Sequence, residues 1–201
     1  MGIEFKYEEG QTPLDEEEKE GLLISIITNR GELNEFEQLN IQKAVEWTLR
    51  RKFKKERILT EEFIKELHKR MFKDVWKWAG TFRNTNKNMG IDYFRIATEL
   101  RKLLDDTKFW IVQQTYEPDE IAIRFKHRIV SIHCFANGNG RHSRLIADVI
   151  IDHIFEKPIY PWGNSNSVDV RKNYLAAIRL AAIRLADQGE IQSLIEFARS
   201  D

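Results

Sequence analysis

The stretch HCFANGNGRHSR, residues 133–144, places one histidine, a Gly-Asn-Gly turn and two arginines within a dozen positions. His133 is the one side chain nearby that can take a proton from a hydroxyl near neutral pH. Gly138 and Gly140 around Asn139 suit a turn that lets an oxygen ligand approach the main chain without a Cβ in the way. A helix beginning near Arg141 would aim several backbone N–H groups and a positive dipole end at that ligand, making an anion pocket. Arg141 and Arg144, three apart, would clamp a polyphosphate from one side. A base beside a phosphate cradle points to group transfer from a nucleotide. The plainer alternative, a helix C-cap followed by a tight turn, accounts for the glycines alone but leaves His133, Arg141 and Arg144 unexplained.

Nearby groups add no second chemistry. Cys134 is adjacent to His133, and adjacent residues point in different directions, so no thiol–imidazole pair follows. His127, His133, Cys134 and His142 fit no usual zinc spacing, because the first two are six apart and lie on different helix faces. Phe135 reads as a core aromatic anchoring the turn, and His68 and His153 read as structural.

The elements that must hold this stretch are helical. Four prolines and ten glycines in 201 residues leave long runs free to coil. In 118–135, Pro118 suits a first helical turn, Asp119 and Glu120 follow at the positive dipole end, and Ile121, Phe125, Ile129 and Ile132 form one stripe. That helix delivers His133 at its end. The segment from Arg141 is apolar around much of its circumference, as a central buried helix would be. Thr60 caps a helix carrying Phe63, Leu67 and Met71, a further helix is expected from Thr98, and another from Asn34 with charges on its outer face. Between them, 83–96 is polar, carries MGID and reads as a two-stranded β-hairpin flap. The pentapeptide AAIRL repeats in tandem at 176–185, a duplication too short for a solenoid. The expected fold is mainly α, with 1–54 as an N-terminal extension and helix packed on a core of 55–201.

Composition narrows the partners. Thirty-two basic and 32 acidic side chains give zero formal charge, so no global field attracts nucleic acid or an anionic membrane. The apolar run at 145–151 is interrupted by Asp148 and is far short of the roughly 20 residues of a bilayer span. The single cysteine and an opening MGIEFKYEEG without a signal pattern read as cytoplasmic.

HCFANGNGRHSR resembles the Fic family signature His-Pro-Phe-x-(Asp/Glu)-Gly-Asn-Gly-Arg-x-x-Arg, and LHKRMFKDVWKWAGTFR at 67–83 resembles the segment before the Fic flap. Through GELNEFEQLNI, WKWAGTFRNTNKNMGID and HCFANGNGRHSRLIAD the chain is most similar to the bacterial Fic proteins called mobile mystery protein B. The resemblance implies a Fic-type helical bundle that transfers AMP from ATP, with Mg²⁺, to a Tyr, Thr or Ser hydroxyl of a target protein. It makes His133 the base, sets Gly138, Asn139 and Gly140 on phosphate, and has Arg141 and Arg144 neutralise the β and γ phosphates. It places Lys87 and Asn88 near the nucleotide from the flap, which would pair with an extended segment of the target. Tyr174 falls near the adenine, although the tandem repeat adds five residues after it and shifts the helical phase by about 140°. The resemblance also implies a toxin component encoded beside a small helix-turn-helix partner protein.

Two departures stand out. Asn137 occupies the position of the acid that binds Mg²⁺, offering an oxygen without charge, and Cys134 replaces the proline. An inhibitory Ser/Thr-x-x-x-Glu-Gly/Asn motif has a partial counterpart in Thr28 and Glu32, with Leu33 where Gly or Asn is expected. Competing readings are a Doc-like phosphotransferase, a nucleotide-binding pseudoenzyme or interaction module, and a DNA-binding helix-turn-helix at 119–155. In Doc, lysine replaces the turn's second glycine, so Gly140 and Arg141 favour AMP transfer; His133 argues against a pseudoenzyme, and zero charge with an apolar second helix argues against DNA.

Overall fold

A computed structural model of the chain describes residues 16–27, 29–162 and 190–200. Thr28, Tyr174 and the tandem repeat lie outside these. Among the described residues the helices are α1 (Glu16–Lys19), α2 (Arg30–Arg50), α3 (Lys55–Ile58), α4 (Glu61–Phe72), α5 (Ile96–Gln113), α6 (Pro118–Ile132), α7 (Asn139–His153) and α8 (Gln192–Arg199), with a 3-10 turn at Tyr93–Arg95 before α5. The protein is mainly helical.

Local chemistry sets the boundaries. Thr60 Oγ1 accepts from the Phe63 N–H at 3.2 Å, and Glu61 and Glu62 follow in the first turn of α4. Pro118 occupies the first turn of α6, where its missing N–H costs nothing. Helix α2 starts four residues before the expected Asn34, because Asn29 accepts from the Glu32 N–H at 3.0 Å and supplies an earlier cap. Helix α5 begins two residues before Thr98, out of the 3-10 turn.

Helix α7 is the centre of the bundle. Ile146, Ala147, Ile150 and Ile151 are each 0% exposed, and the helix lies against both α6 and α4. Helix α4 contributes Phe63, Leu67, Met71 and Phe72 to the same core, while α5 covers α6 from the other side. Helix α2 packs on α4 with Leu33, Glu37, Asn40, Ala44 and Thr48 buried. Three of these five are polar: Asn40, for one, donates to Asp74 Oδ2 at 2.9 Å and accepts from the Asp74 N–H at 3.2 Å. The charged outer face expected of this helix is present, but its inner face also holds polar groups that need specific partners.

The expected β-hairpin does not form. Residues 83–92 make an irregular loop, and the single bridge among the described residues joins Leu22 to Trp76. The loop is held by side chains instead of a strand ladder. Asn86 accepts from the Tyr93 N–H at 2.9 Å and donates to Asp92 at 3.1 Å. Arg83 donates to the main chain at Thr85 and Ile91 on either side of the loop.

Candidate active site

His133 ends α6 in the left-handed region, with φ 58° and ψ 60°. A non-glycine residue there needs surroundings that hold it. Its N–H donates to Ile129 O at 3.2 Å, and its carbonyl accepts from Arg83 Nε at 2.6 Å. Arg83 is buried, and its remaining donors reach Thr85 O at 2.7 Å and Ile91 O. One guanidinium therefore ties both ends of the flap loop to the end of α6. Gly90, φ 97°, closes the junction: a Cβ there would stand 2.5 Å from His133 Cβ.

Burial, then the positive charges of Arg83 and Lys87, push the His133 imidazole down to about 4. At neutral pH the ring is uncharged, with a lone pair for a hydroxyl proton. Cys134 beside it is buried, and burial pushes its thiol up to about 12, so it remains protonated and is no nucleophile.

The turn after His133 is stapled from within. Asn139 accepts from the Phe135 N–H at 3.0 Å and donates to Phe135 O at 2.8 Å. Its amide is spent on the loop, so what Asn139 can offer a phosphate is its main-chain N–H in the first turn of α7. The two glycines do different jobs. Gly138, φ 78°, lies so near Phe72 that a Cβ would come within 2.4 Å of the ring. A Cβ at Gly140 would meet nothing within 4 Å, and Gly140 is exposed. The open approach to the start of α7 is therefore at Gly140.

Beneath the loop, His68 stacks on Phe135 with centroids 3.7 Å apart. Its Nδ1 accepts from the Gly80 N–H at 3.0 Å, which leaves Nε2 to donate to Asn137 O at 3.0 Å. His142 reaches Ile64 O at 3.1 Å, and His153 reaches Thr48 O at 3.1 Å. All three are structural, and Phe135 is the core aromatic expected of it.

Residues 58–151 match the model of the Fic/DOC family. They belong to that family. Solved structures share the fold. A Fic domain containing signaling protein from Bacteroides thetaiotaomicron aligns at TM-score 0.59 and 20% identity over 84% of this chain and 64% of its own. Fic-1 from C. elegans aligns at 0.67 and 21%, over 90% of this chain and 51% of its own. BepC from Bartonella tribocorum, with bound AMPPNP, aligns at 0.65 and 14%, over 92% of this chain and 97% of its own. The chain thus spans about half to two thirds of the first two.

On the Fic scaffold the two arginines separate. Arg141 lies with its guanidinium carbon 5.0 Å from the Phe72 ring centre, and its Nη1 is 2.8 Å from Glu37 Oε2. Arg144, a turn later, acts electrostatically on Lys126 and Asp148. The two arginines thus lie among different charged groups, Arg141 by Glu37 and Arg144 within electrostatic reach of Lys126 and Asp148. Lys87 is paired with Glu18 at 2.5 Å, both side chains nearly buried, while Asn88 is exposed on the flap. Glu32 sits in the first turn of α2. Asn137 Oδ1 accepts from the Gly138 N–H at 2.5 Å and keeps a second lone pair. Among the described residues no group of three or more His, Cys, Asp or Glu side chains could hold a metal ion; the neutral Asn137 oxygen is a donor of the kind that could supply a single ligand to a hard cation. None of the described helices is long and apolar enough to cross a membrane.

Sequence reasoning missed Arg83, Glu18 and Glu37. For Glu37 there was a signal: an acid sharing a helical stripe with Leu33 and Ala44 is an acid aimed at the core.

Proposed function

We propose that the chain transfers AMP from ATP to a Tyr, Thr or Ser hydroxyl of a target protein. The observation that carries this is the neutral, buried His133 fixed at the junction of the flap and an open helix N-terminus at Gly140. The family match, and the AMPPNP bound to the similar BepC, support a nucleotide at that place.

In this reading the main-chain N–H groups at the start of α7 hold phosphate, and Arg141 and Arg144 offset the charge of the β and γ phosphates. Asn137 would offer Mg²⁺ one neutral oxygen ligand, and the ion would add charge neutralisation at the phosphates. An extended target segment lies along the flap and brings its hydroxyl in line with the α phosphorus. His133 takes the hydroxyl proton as the new O–P bond forms, the bond to the β phosphate breaks, and pyrophosphate leaves. Arg83 keeps flap and base in register. The similarity to mobile mystery protein B adds a small helix-turn-helix protein as a proposed partner.

Incubation with a cell lysate and ATP labelled at α or at γ tests this. Label retained from α alone supports AMP transfer. Retention from γ means the Doc-like phosphotransferase, and retention from neither means a binding module.

A further inference from the structure

Arg141 stands in the first turn of α7, at the positive end of the helix dipole, where a cation is disfavoured. Two groups hold it there: the face of Phe72 and the carboxylate of Glu37. Glu37 lies on α2, outside the family-matched segment, and is 0% exposed. Its Oε1 accepts from Trp76 Nε1 at 2.7 Å, and that indole is itself buried and stacked on Trp78 with centroids 5.0 Å apart. The carboxylate has no freedom to turn.

Its other oxygen is the informative one. Oε2 lies 2.8 Å from Arg141 Nη1, yet it receives no aligned hydrogen bond. A carboxylate that captured the arginine would take paired, aligned N–H bonds. This one stands at ion-pair distance from the guanidinium without taking such a bond from it. Arg141 is 29% exposed, so part of the group faces outward on the turn that holds Gly140, where approach is open.

We propose that Glu37 is a positioning residue, which fixes Arg141 by charge so that its donors meet the terminal phosphates of the bound nucleotide. The proposal rests on the nucleotide reading above. It makes α2 part of the functional site instead of a packed extension.

The test compares wild type, Glu37→Gln, Arg141→Ala and the double variant, measuring ATP and AMP binding by calorimetry and AMP transfer from α-labelled ATP. Misaiming a charged clamp costs about 10- to 100-fold, so Glu37→Gln is expected to weaken ATP binding and transfer by that factor. AMP, which lacks the terminal phosphates, should bind unchanged. In the Arg141→Ala background Glu37→Gln should cost nothing further. Equal losses for ATP and AMP, losses that add in the double variant, or tighter ATP binding in Glu37→Gln would overturn the proposal, the last because it would make the carboxylate a competitor. If Glu37→Gln fails to fold, Trp76→Phe frees the carboxylate while keeping an aromatic ring, and the same ATP-selective, Arg141-dependent loss is required of it. A wild-type protein that binds no ATP would instead sink the nucleotide reading itself.

Discussion

His133 and His142 are both buried and both pushed down to about 4, chiefly by burial, yet they belong to different kinds of region. His142 lies inside α7 among regular helices, its ring against Ile64 O and edge-on to Phe135 at 5.2 Å. His133 lies where α6 stops, in a left-handed conformation, against a loop pinned by Arg83. A depressed imidazole alone therefore does not mark a base. The mark is depression at a place where backbone regularity breaks and a second, irregular segment converges.

The sharpest way to break this comparison is to remove each ring in turn. His133→Ala should lower AMP transfer by about 10²- to 10⁴-fold, the usual loss of a positioned base, while ATP affinity stays within a few-fold, read by calorimetry. His142→Ala should instead cost about 2–4 kcal/mol of stability, through a cavity and an unpaired Ile64 carbonyl. Transfer per folded molecule should be retained below its melting transition. If His142→Ala abolished transfer in folded protein, or His133→Ala left it intact, the two sites would have been assigned the wrong way round.

Acidification separates the regions a second way. The histidines at 133 and 142 bind protons less readily folded than unfolded, and burial lowers His68 likewise. The contribution of His133 and His142 is complete above the unfolded value of about 6.5 and is lost as pH falls through about 4, and that of His68 is lost in the same direction. Asp148 acts oppositely: burial pushes it up to about 7, so its neutral form favours the fold increasingly as pH drops from there to its ordinary 3.8. With His127 also pushed down by burial, four histidines stand against one aspartate, and Tm should fall between pH 6.5 and 4. The transfer rate of still-folded protein should hold across most of that window, because His133 stays neutral. A rate that halved near pH 6.5 without unfolding would show that the acting base is not the buried His133.

A smaller effect tests the junction itself. Gly90→Ala drives a methyl group into His133 Cβ and forces a left-handed alanine, at a cost of about 1–3 kcal/mol. Transfer should drop with ATP affinity unchanged, since flap and base move relative to each other and the start of α7 does not. Equal loss of ATP binding would place the flap on the nucleotide as much as on the target.

The same contrast explains what could be read from the chain. Helix α7 was legible because apolar residues on most sides leave it no place but the centre, and α6 because Pro118 and a stripe ending at Ile132 bound it. The residue types at 133–144 suggested a base and an anion site. Their directions were not: residue types do not say that the Asn139 amide turns inward, that Gly138 serves Phe72, or that Arg141 leans to α2. The flap was misjudged because alternation around MGID reads as strand pairing, whereas the loop's backbone is satisfied by Arg83 and Asn86, and side-chain pins have no period to detect.

The smallest effect concerns Asn137. Its Oδ1 already accepts from the Gly138 N–H, so one lone pair remains, and it carries no charge. A cation shared with phosphates would be held more weakly there than by a carboxylate. An aspartate of the same length would keep the bond to Gly138 with one oxygen and present the other, charged, to the metal. Asn137→Asp is therefore expected to lower the Mg²⁺ concentration that gives half-maximal transfer and to narrow any preference for Mn²⁺, with little change in the maximal rate. Titrating both forms against each metal decides it: coincident curves, or a variant that needs more metal, would mean that the phosphates hold the ion without this residue and that Asn137 serves only to brace the turn.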